Sequence, residues 1–195
     1  MKSGGRGTRT RSAMLNFVGV RMQIRKATTE DIEALGRFYD NEVSWMDAHG
    51  CNYPRWTYLG YPTTSTVEWT IGEGTQFICT EGEEILGAFM LNTDPLGPYE
   101  KVPWSKVLQR GEYMVIHMLS TSHEHFGEGL GKAMTEYCIA LAKSLGFKGI
   151  RLDVVPGNIP AMRLYESCGF RYVGDCDLEK GVEKIPIFSL FELDF

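Results

Sequence analysis

The sequence lacks long hydrophobic runs and paired cysteines. No stretch approaches the ~20 apolar residues that a helix needs to cross a bilayer, so we expect a soluble protein without a membrane partner. The five cysteines are odd in number and include no Cys-x-x-Cys pair, which favours core thiols in a reducing cytosol and thus a cytoplasmic protein. The histidines at 49, 123 and 125 are too scattered for a metal site, so no metal is predicted.

Basic residues are scarce after residue 21. Residues 1–21 carry five Lys and Arg and no acid, which leaves 15 Lys and Arg against 25 Asp and Glu in residues 22–195, a net charge of −10. A body this acidic disfavours a nucleic-acid partner. The basic, glycine-containing stretch 1–21 is predicted to be a disordered extension rather than a signal peptide. Residues 22–195 are predicted to form one domain, because 195 residues with 43% apolar content suffice for a full core.

The first half of the chain reads as a strand, a helix and a hairpin. Residues 22–27 alternate as a short strand, and apolar residues then recur at three- and four-residue steps from Ile32 to about Gly50, which predicts an amphipathic helix. Residues 76–80 and 85–92 flank a short polar turn and predict a β-hairpin. The aromatic residues between Tyr39 and Tyr61 suit either a pocket wall or the core, and both interpretations stay open here.

The chain is organised around residues 113–134. Val115–Leu119 reads as a strand, glycines follow at 127, 129 and 131, and an amphipathic helix then runs to Leu145. A glycine loop between a strand and the positive end of a helix suits a phosphate, because several N–H groups can point at one anion. The next strand, 149–155, predicts a parallel pair joined by a right-handed crossover. A short helix and a last strand pair complete one α/β unit.

Two motifs resemble the signature of the GNAT superfamily of acyl-CoA N-acyltransferases. The first is Leu119-Ser-Thr-Ser-His-Glu-His-Phe-Gly-Glu-Gly-Leu-Gly-Lys132, and the second is Asn158-Ile-Pro-Ala-Met-Arg-Leu-Tyr-Glu-Ser-Cys-Gly-Phe170. The resemblance implies an α/β fold with a mixed, mostly antiparallel sheet of six to seven strands, flanked by about four helices. It also implies that one parallel pair splays at the cofactor site, between Met118–Thr121 and Asp153–Val155. The expected donor is acetyl-CoA, and a homodimer stays open.

The resemblance also assigns the residues that would hold acetyl-CoA. The strand end would pair with the pantetheine amides, as an added strand does, and the loop would hold the diphosphate. Asn158 would touch the arm, cap its helix, or do both. One residue departs from the family, because Phe126 stands where Arg or Gln is usual, which removes a side-chain contact but leaves the backbone donors. The expected cofactor-binding residues are Leu119, Ser120, Thr121, Phe126, Gly127, Glu128, Gly129, Leu130, Gly131, Lys132, Asn158, Ala161 and Tyr165.

Acetyl transfer to an amine needs a base and an acid. Tyr165 matches the family's acid, which would protonate the departing thiolate. His117 is the first candidate for the base, Asp153 its rival, and Glu112 the third. His117 is alternatively a core residue of its strand, and Asp153 alternatively forms an ion pair with Lys148 or Arg151. The predicted function is N-acetylation of a primary amine, preferably a small molecule, with a non-catalytic acyl-CoA-binding module as the alternative.

Overall fold

One twisted sheet connects all parts of the chain that the structure describes. The structure is a computed structural model that describes residues 13–17, 20–181 and 185–195, with only the backbone described for 13–17, 20 and 21. The strands are β1 Ala13–Phe17, β2 Val20–Lys26, β3 Gln76–Glu81, β4 Glu84–Asn92, β5 Tyr113–Thr121, β6 Gly149–Val154, β7 Arg171–Asp177 and β8 Ile187–Asp194. The α-helices are α1 Ile32–Ala48, α2 Trp56–Leu59, α3 Thr64–Gly72, α4 Leu130–Ser144 and α5 Ile159–Ser167.

The strands lie in the order β1-β2-β3-β4-β5-β6-β8-β7. Every neighbouring pair is antiparallel except β5–β6, which is parallel and is joined through α4. The predicted mixed, mostly antiparallel sheet with one parallel pair is therefore confirmed. Among the described residues the sheet has eight strands, one more than the upper expected number, and the additional strand is β1.

The N-terminal boundary differs from the prediction. Residues 13–17 pair with β2 in an antiparallel register that places Phe17 opposite Val20, although the sequence analysis assigned them to an extension ending at residue 21. A run of five residues followed two residues later by another alternating run is the spacing of a hairpin, and the basic composition of the stretch outweighed that signal. Residues 1–12 and 18–19, the rest of the predicted extension, lie outside the described residues.

Helices cover both faces of the sheet. On one face α4 packs Met134 and Cys138 against strand residues such as Phe89. On the other face α1 and α3 pack Leu35 and Val67 against strand residues such as Met90. Successive residues of β4 thus enter opposite cores, as the two-residue period of a strand requires, and the sheet is buried on both sides at its centre.

The parallel pair opens towards one end. Only Tyr113, Met114 and Val115 of β5 pair with β6, opposite Gly149, Ile150 and Arg151. Beyond them β5 continues to Thr121 beside β4, while β6 continues to Val154 beside β8. The predicted splay between 118–121 and 153–155 is therefore present, and it leaves one edge of β5 without a β6 partner.

Candidate functional site

The glycine loop forms the entrance to α4. Gly127 and Gly129 have φ values of 85° and 81°, a left-handed conformation that strains residues with a Cβ. Gly129 precedes the first residue of α4, and no side chain caps that end of the helix. The first-turn N–H groups therefore have no side-chain cap as a partner, as a phosphate-binding helix end requires. Gly131 has a separate role, since a Cβ there would lie 3.1 Å from Leu164 of α5.

β5 carries a bulge at the point where it leaves β6. Met118 has φ of 50°, which is rare for a residue without a polar side chain, and the β4–β5 register shifts between Ala88 and Met90. The buried hydroxyl of Tyr39 donates a 3.1 Å hydrogen bond to the Met118 carbonyl oxygen. This hydrogen bond from α1 stabilises the distorted backbone at Met118. Residues 119–121 continue β5 along the open edge.

A cavity of about 540 Å³ runs along that edge. Nine of the predicted cofactor-binding residues line it: Leu119, Ser120, Thr121, Phe126, Gly127, Gly131, Asn158, Ala161 and Tyr165. The remaining four, Glu128, Gly129, Leu130 and Lys132, are not part of its lining, and the side chain of Leu130 packs into the core. Asn158 lines the cavity and also caps α5, where its side-chain oxygen accepts from the Ala161 N–H at 3.3 Å.

The opposite wall of this cavity comes from the aromatic stretch that begins within α1 and continues beyond it. Trp45, Tyr53 and Trp56 line it, whereas Tyr39 is buried in the core. The aromatic stretch therefore supplies both cavity wall and core, and Trp56, which lines the cavity and packs against Tyr39 in the core, belongs to both. Phe126, half exposed, sets its ring edge against Trp45 at 5.3 Å between centroids, so this departure from the family pattern joins the loop to the aromatic wall.

The sequence analysis missed a buried acid in the same wall. Glu42 is 3% exposed and accepts hydrogen bonds from the backbone N–H and from Nδ1 of His123, both at 2.9 Å. Burial raises the pKa of Glu42, and its contacts with His123 oppose that effect. Helical spacing could have indicated that Glu42 is buried, since it falls four residues after Phe38 and four before Met46, on the inward face of α1.

A smaller cavity of about 90 Å³ adjoins the larger one. The two cavities meet in the cleft between β5 and β6, where they share six lining residues: Pro54, Trp56, Leu119, Asn158, Ala161 and Tyr165. The smaller cavity also contains His117 and Asp153, the two leading candidates for the base. Glu112, the third candidate, lines neither cavity and forms an ion pair with Lys148 at the far end of β5.

His117 is buried with a defined tautomer. Its Nε2 lies 2.9 Å from the Asp94 carbonyl oxygen and 3.2 Å from Oδ1 of Asn92, and both of these atoms accept. The hydrogen must therefore be on Nε2, which leaves Nδ1 unprotonated in the neutral ring. Desolvation lowers the pKa of His117 to about 4, so the ring is neutral at pH 7.

Asp153 has partners that the sequence did not suggest. Its Oδ2 accepts from Lys180 Nζ at 2.6 Å, and its Oδ1 accepts from the Tyr99 hydroxyl at 2.8 Å. The expected alternatives, Lys148 and Arg151, are placed elsewhere: Lys148 binds Glu112, and the Arg151 guanidinium lies between two aromatic rings. Because Lys180 and Tyr99 are distant from Asp153 in sequence, no local pattern could indicate these contacts.

Tyr165 stands where the two cavities meet. Its side chain is buried, and its ring packs edge-on against Phe170 at 5.7 Å between centroids. Burial raises the pKa of Tyr165 above its usual value of 10, so the hydroxyl is protonated at neutral pH and able to donate.

Comparison with known proteins identifies the family. The model of the acetyltransferase (GNAT) family matches residues 43–170, more than half of the chain. The chain belongs to this family. The match covers the lining of both cavities apart from Glu42, Lys180 and Phe188, and it confirms the resemblance drawn from the two motifs. Acetyl-CoA is the acyl donor of GNAT acetyltransferases.

Curated relatives share only part of the chain. Streptothricin acetyltransferase of Escherichia coli is 38% identical over 63 residues, which are 32% of this chain and 36% of that protein. Human N-acetyltransferase 8B is 29% identical over 79 residues, 40% of this chain and 35% of that protein. The chain thus matches about a third of the length of these relatives.

Solved structures share the whole fold. A GNAT-family acetyltransferase of Listeria monocytogenes superposes with a TM-score of 0.74 at 18% identity, over 94% of this chain and all of that one. One from Streptococcus agalactiae gives 0.74 at 17% identity, over 94% and 99%. At such identities the likeness establishes the fold alone.

Two features are absent from the part of the chain that the structure describes. No described helix is long and apolar enough to span a bilayer. Within residues 13–17, 20–181 and 185–195, no group of three or more His, Cys, Asp or Glu is arranged to hold a metal ion.

Proposed function

We propose that the chain moves the acetyl group of acetyl-CoA to the nitrogen of a primary amine, preferably a small molecule, without a covalent enzyme intermediate. The observation that carries this proposal is the meeting of two unlike cavities at Tyr165 in the open cleft between β5 and β6. One cavity offers a strand edge and a glycine loop, and the other offers a neutral imidazole and a carboxylate. Acetyl-CoA in the larger cavity and an amine in the smaller one can therefore meet beside Tyr165.

The larger cavity supports the donor role. Ser120 and Thr121 pair with β4 on one side, and β6 has already diverged on the other, so the outward backbone groups from Leu119 to Thr121 suit the amides of a pantetheine arm. The uncapped first turn of α4 suits the diphosphate. Glu128, Gly129, Leu130 and Lys132 remain proposed contacts through the backbone of that turn, because their side chains do not line the cavity. The N–H of Leu119 or Ser120 is the proposed donor to the carbonyl oxygen of the acetyl group.

His117 is the proposed base. An alkylamine with a pKa near 10.4 is mostly protonated at pH 7, so it must lose a proton before it can attack. The tautomer fixed by Asp94 leaves Nδ1 of His117 able to accept that proton, directly or through a water. Because burial lowers the pKa of His117 to about 4, the ring does not keep the proton at pH 7, and we propose that it passes the proton on to solvent. Asp153 is less suited to the task, since both of its oxygens already accept hydrogen bonds from side chains.

Tyr165 is the proposed acid. Transfer breaks the bond between the acetyl carbon and sulfur, and the thiolate of CoA then needs a hydrogen bond or a proton. Tyr165 lines both cavities and its hydroxyl is protonated, so it can supply either. A phenol is a weaker acid than a thiol, and we therefore place hydrogen bonding to sulfur before proton transfer.

The proposal is tested by mixing the protein with acetyl-CoA and a panel of amines, and following the release of CoA. The panel includes streptothricin, because one relative is named for it, together with polyamines, aminoglycosides, lysine and an N-terminal peptide. Calorimetry with CoA is run in parallel. Turnover on one amine class supports the transferase, whereas saturable CoA binding without turnover on any amine supports the acyl-CoA-binding module. Absence of CoA binding at millimolar ligand contradicts both.

We also propose a reducing cytosol as the location. All five cysteines lie in described residues and are free, and two of them, Cys79 and Cys138, are fully buried. Burial raises the pKa of both thiols, which favours unreactive core residues over redox-active ones.

A further inference from the structure

The smaller cavity is lined by an alkylammonium group of the chain itself, the side chain of Lys180. Lys180 Nζ lies 2.6 Å from Asp153 Oδ2 and 4.4 Å from the ring centroid of Phe188. Tyr99 donates to the second Asp153 oxygen at 2.8 Å and so fixes the carboxylate. A carboxylate, an aromatic face and a positioning hydroxyl together make a binding site for a cation on an alkyl stem. We call these three residues, Asp153, Phe188 and Tyr99, the ammonium seat.

The seat is sheltered from water. The side chains of Lys180 and Asp153 are 19% and 9% exposed, so their attraction is weakly screened compared with that of a surface pair. The neighbouring ion pair makes the contrast clear: Lys101 binds Glu179 with side chains 52% and 62% exposed. Two adjacent residues, Glu179 and Lys180, therefore take part in an open ion pair and an enclosed one.

The seat also lies on the route to the reacting atoms. Lys180, Asp153 and Phe188 line the same cavity as His117 and Tyr165. Lys180 comes from the segment between β7 and β8, where buried Leu178 holds the backbone two residues earlier. The ammonium of Lys180 thus lies in the cavity that adjoins the glycine-loop cavity, while its backbone belongs to a connection between strands.

We infer that the seat is the binding site for the amino group of the acceptor, and that Lys180 is a placeholder which the acceptor displaces. This inference rests on the proposed function and names its substrate class: a protonated primary amine at the end of an unbranched alkyl chain, as on Lys180 itself. The seat encloses an unsubstituted ammonium, and only about 90 Å³ of free space adjoins it, which leaves no room for a bulky N-substituent beside the charge. Asp153 is then a binding residue, and the proton passes to His117.

The competition can be measured by removing Lys180. In Lys180→Ala the enclosed Asp153 carboxylate loses its cation, and it should recruit an amine from solution. A charge-assisted hydrogen bond of ~1.5–3 kcal/mol corresponds to about tenfold or more in affinity, so the KM for the amine should fall by about tenfold with little change in kcat. Lys180→Met is measured alongside, because it keeps the apolar stem against Phe188 if the alanine variant folds poorly.

Binding without acetyl-CoA separates the inference from the proposed function. The probe is n-propylammonium chloride, titrated into the native chain and Lys180→Ala by calorimetry and thermal unfolding. We expect at least about tenfold tighter binding to Lys180→Ala, and loss of that gain in the double variant Lys180→Ala with Asp153→Asn. Lys101→Ala is the matched control, since it removes a lysine from the exposed pair next in sequence and should behave like the native chain.

The outcomes of these experiments separate the ammonium seat from the proposed transferase function. Propylammonium binding that needs Asp153 supports the seat even if no amine is ever acetylated, which would leave the proposed function alone in doubt. Normal turnover with an unchanged or higher KM in both Lys180 variants, or propylammonium binding that is indifferent to Asp153→Asn, overturns the seat. In that case Lys180 only ties the β7–β8 connection to the sheet, and the transferase proposal stands.

Discussion

Acidification should destabilise this protein through one buried ring, that of His117. Burial lowers its pKa from 6.5 to about 4 in the folded chain. Between these values the unfolded chain binds a proton that the folded chain does not, so stability present above pH 6.5 is lost as the pH falls through 6.5 towards 4. A shift of 2.5 pKa units corresponds to a loss on the order of 3 kcal/mol. That is a large fraction of the stability of an ordinary domain.

The measurement is the free energy of unfolding in urea, from pH 7.5 to pH 4, for the native chain and His117→Gln. Glutamine can still donate to the Asp94 carbonyl but does not titrate, so the difference between the two curves isolates the histidine. We expect the native chain to lose about 3 kcal/mol relative to the variant over this range. A difference that stays flat, or an NMR titration of His117 with a pKa of 6 or above, would refute the reasoning.

His125 provides a control, because its pKa is shifted in the opposite direction to that of His117. Glu128 raises the pKa of His125, so its contribution is present at low pH and is lost as the pH rises. His125→Gln should therefore change the pH dependence in the reverse direction. With four histidines in the chain, NMR signals can be assigned by single substitutions.

Three further predictions concern the acid, the strand edge and the first helix. Tyr165→Phe should lower kcat for CoA release by roughly 10²-fold or more, leaving the KM for acetyl-CoA unchanged; a loss below threefold would exclude Tyr165 as the acid. Gly87→Ala should cost about 1–3 kcal/mol in urea and weaken acetyl-CoA binding by calorimetry, since its Cβ would lie 2.9 Å from the Ser120 carbonyl oxygen; unchanged binding would mean that the edge tolerates displacement. Asp31→Asn should cost about 1 kcal/mol at pH 7, because the hydrogen bond from Arg25 lowers the pKa of Asp31 to about 2; the cost should vanish as the pH falls from 3.8 towards 2, and a pH-independent cost would contradict it.

The fold could be predicted because its signals are local. The helical period of α4 and the two-residue period of β3 and β4 each depend on residues close in sequence, and burial in the structure follows both. The glycine loop was predictable for the same reason, since Gly127 and Gly129 fall between a strand and a helix. The first hairpin is the exception, because residues 13–17 directly follow a basic, glycine-containing stretch whose composition predicts disorder.

The chemistry of the site was less predictable, because its contacts join distant parts of the chain. The Asp94 carbonyl that fixes the tautomer of His117 comes from the long loop after β4, which no motif covers. Tyr99 of the same loop holds Asp153, and Lys180 reaches it from beyond β7. The sequence could name His117 and Asp153 as rivals, but only their partners distinguish them: one has a nitrogen left to accept a proton, and the other is already engaged as an anion.

The bulge at Met118 explains why cleft and cavity occur together. A strand that stayed regular past Val115 would keep its β6 pairing and leave no backbone edge for a pantetheine arm. Instead, the left-handed φ of Met118 coincides with the shift in β4–β5 register, and both lie just beyond the last pair with β6. Strain of this kind costs about 1–3 kcal/mol and persists only where surrounding contacts impose it. Tyr39 supplies such a contact from α1, so the core side of the first helix maintains the opening at which we propose that donor and acceptor meet.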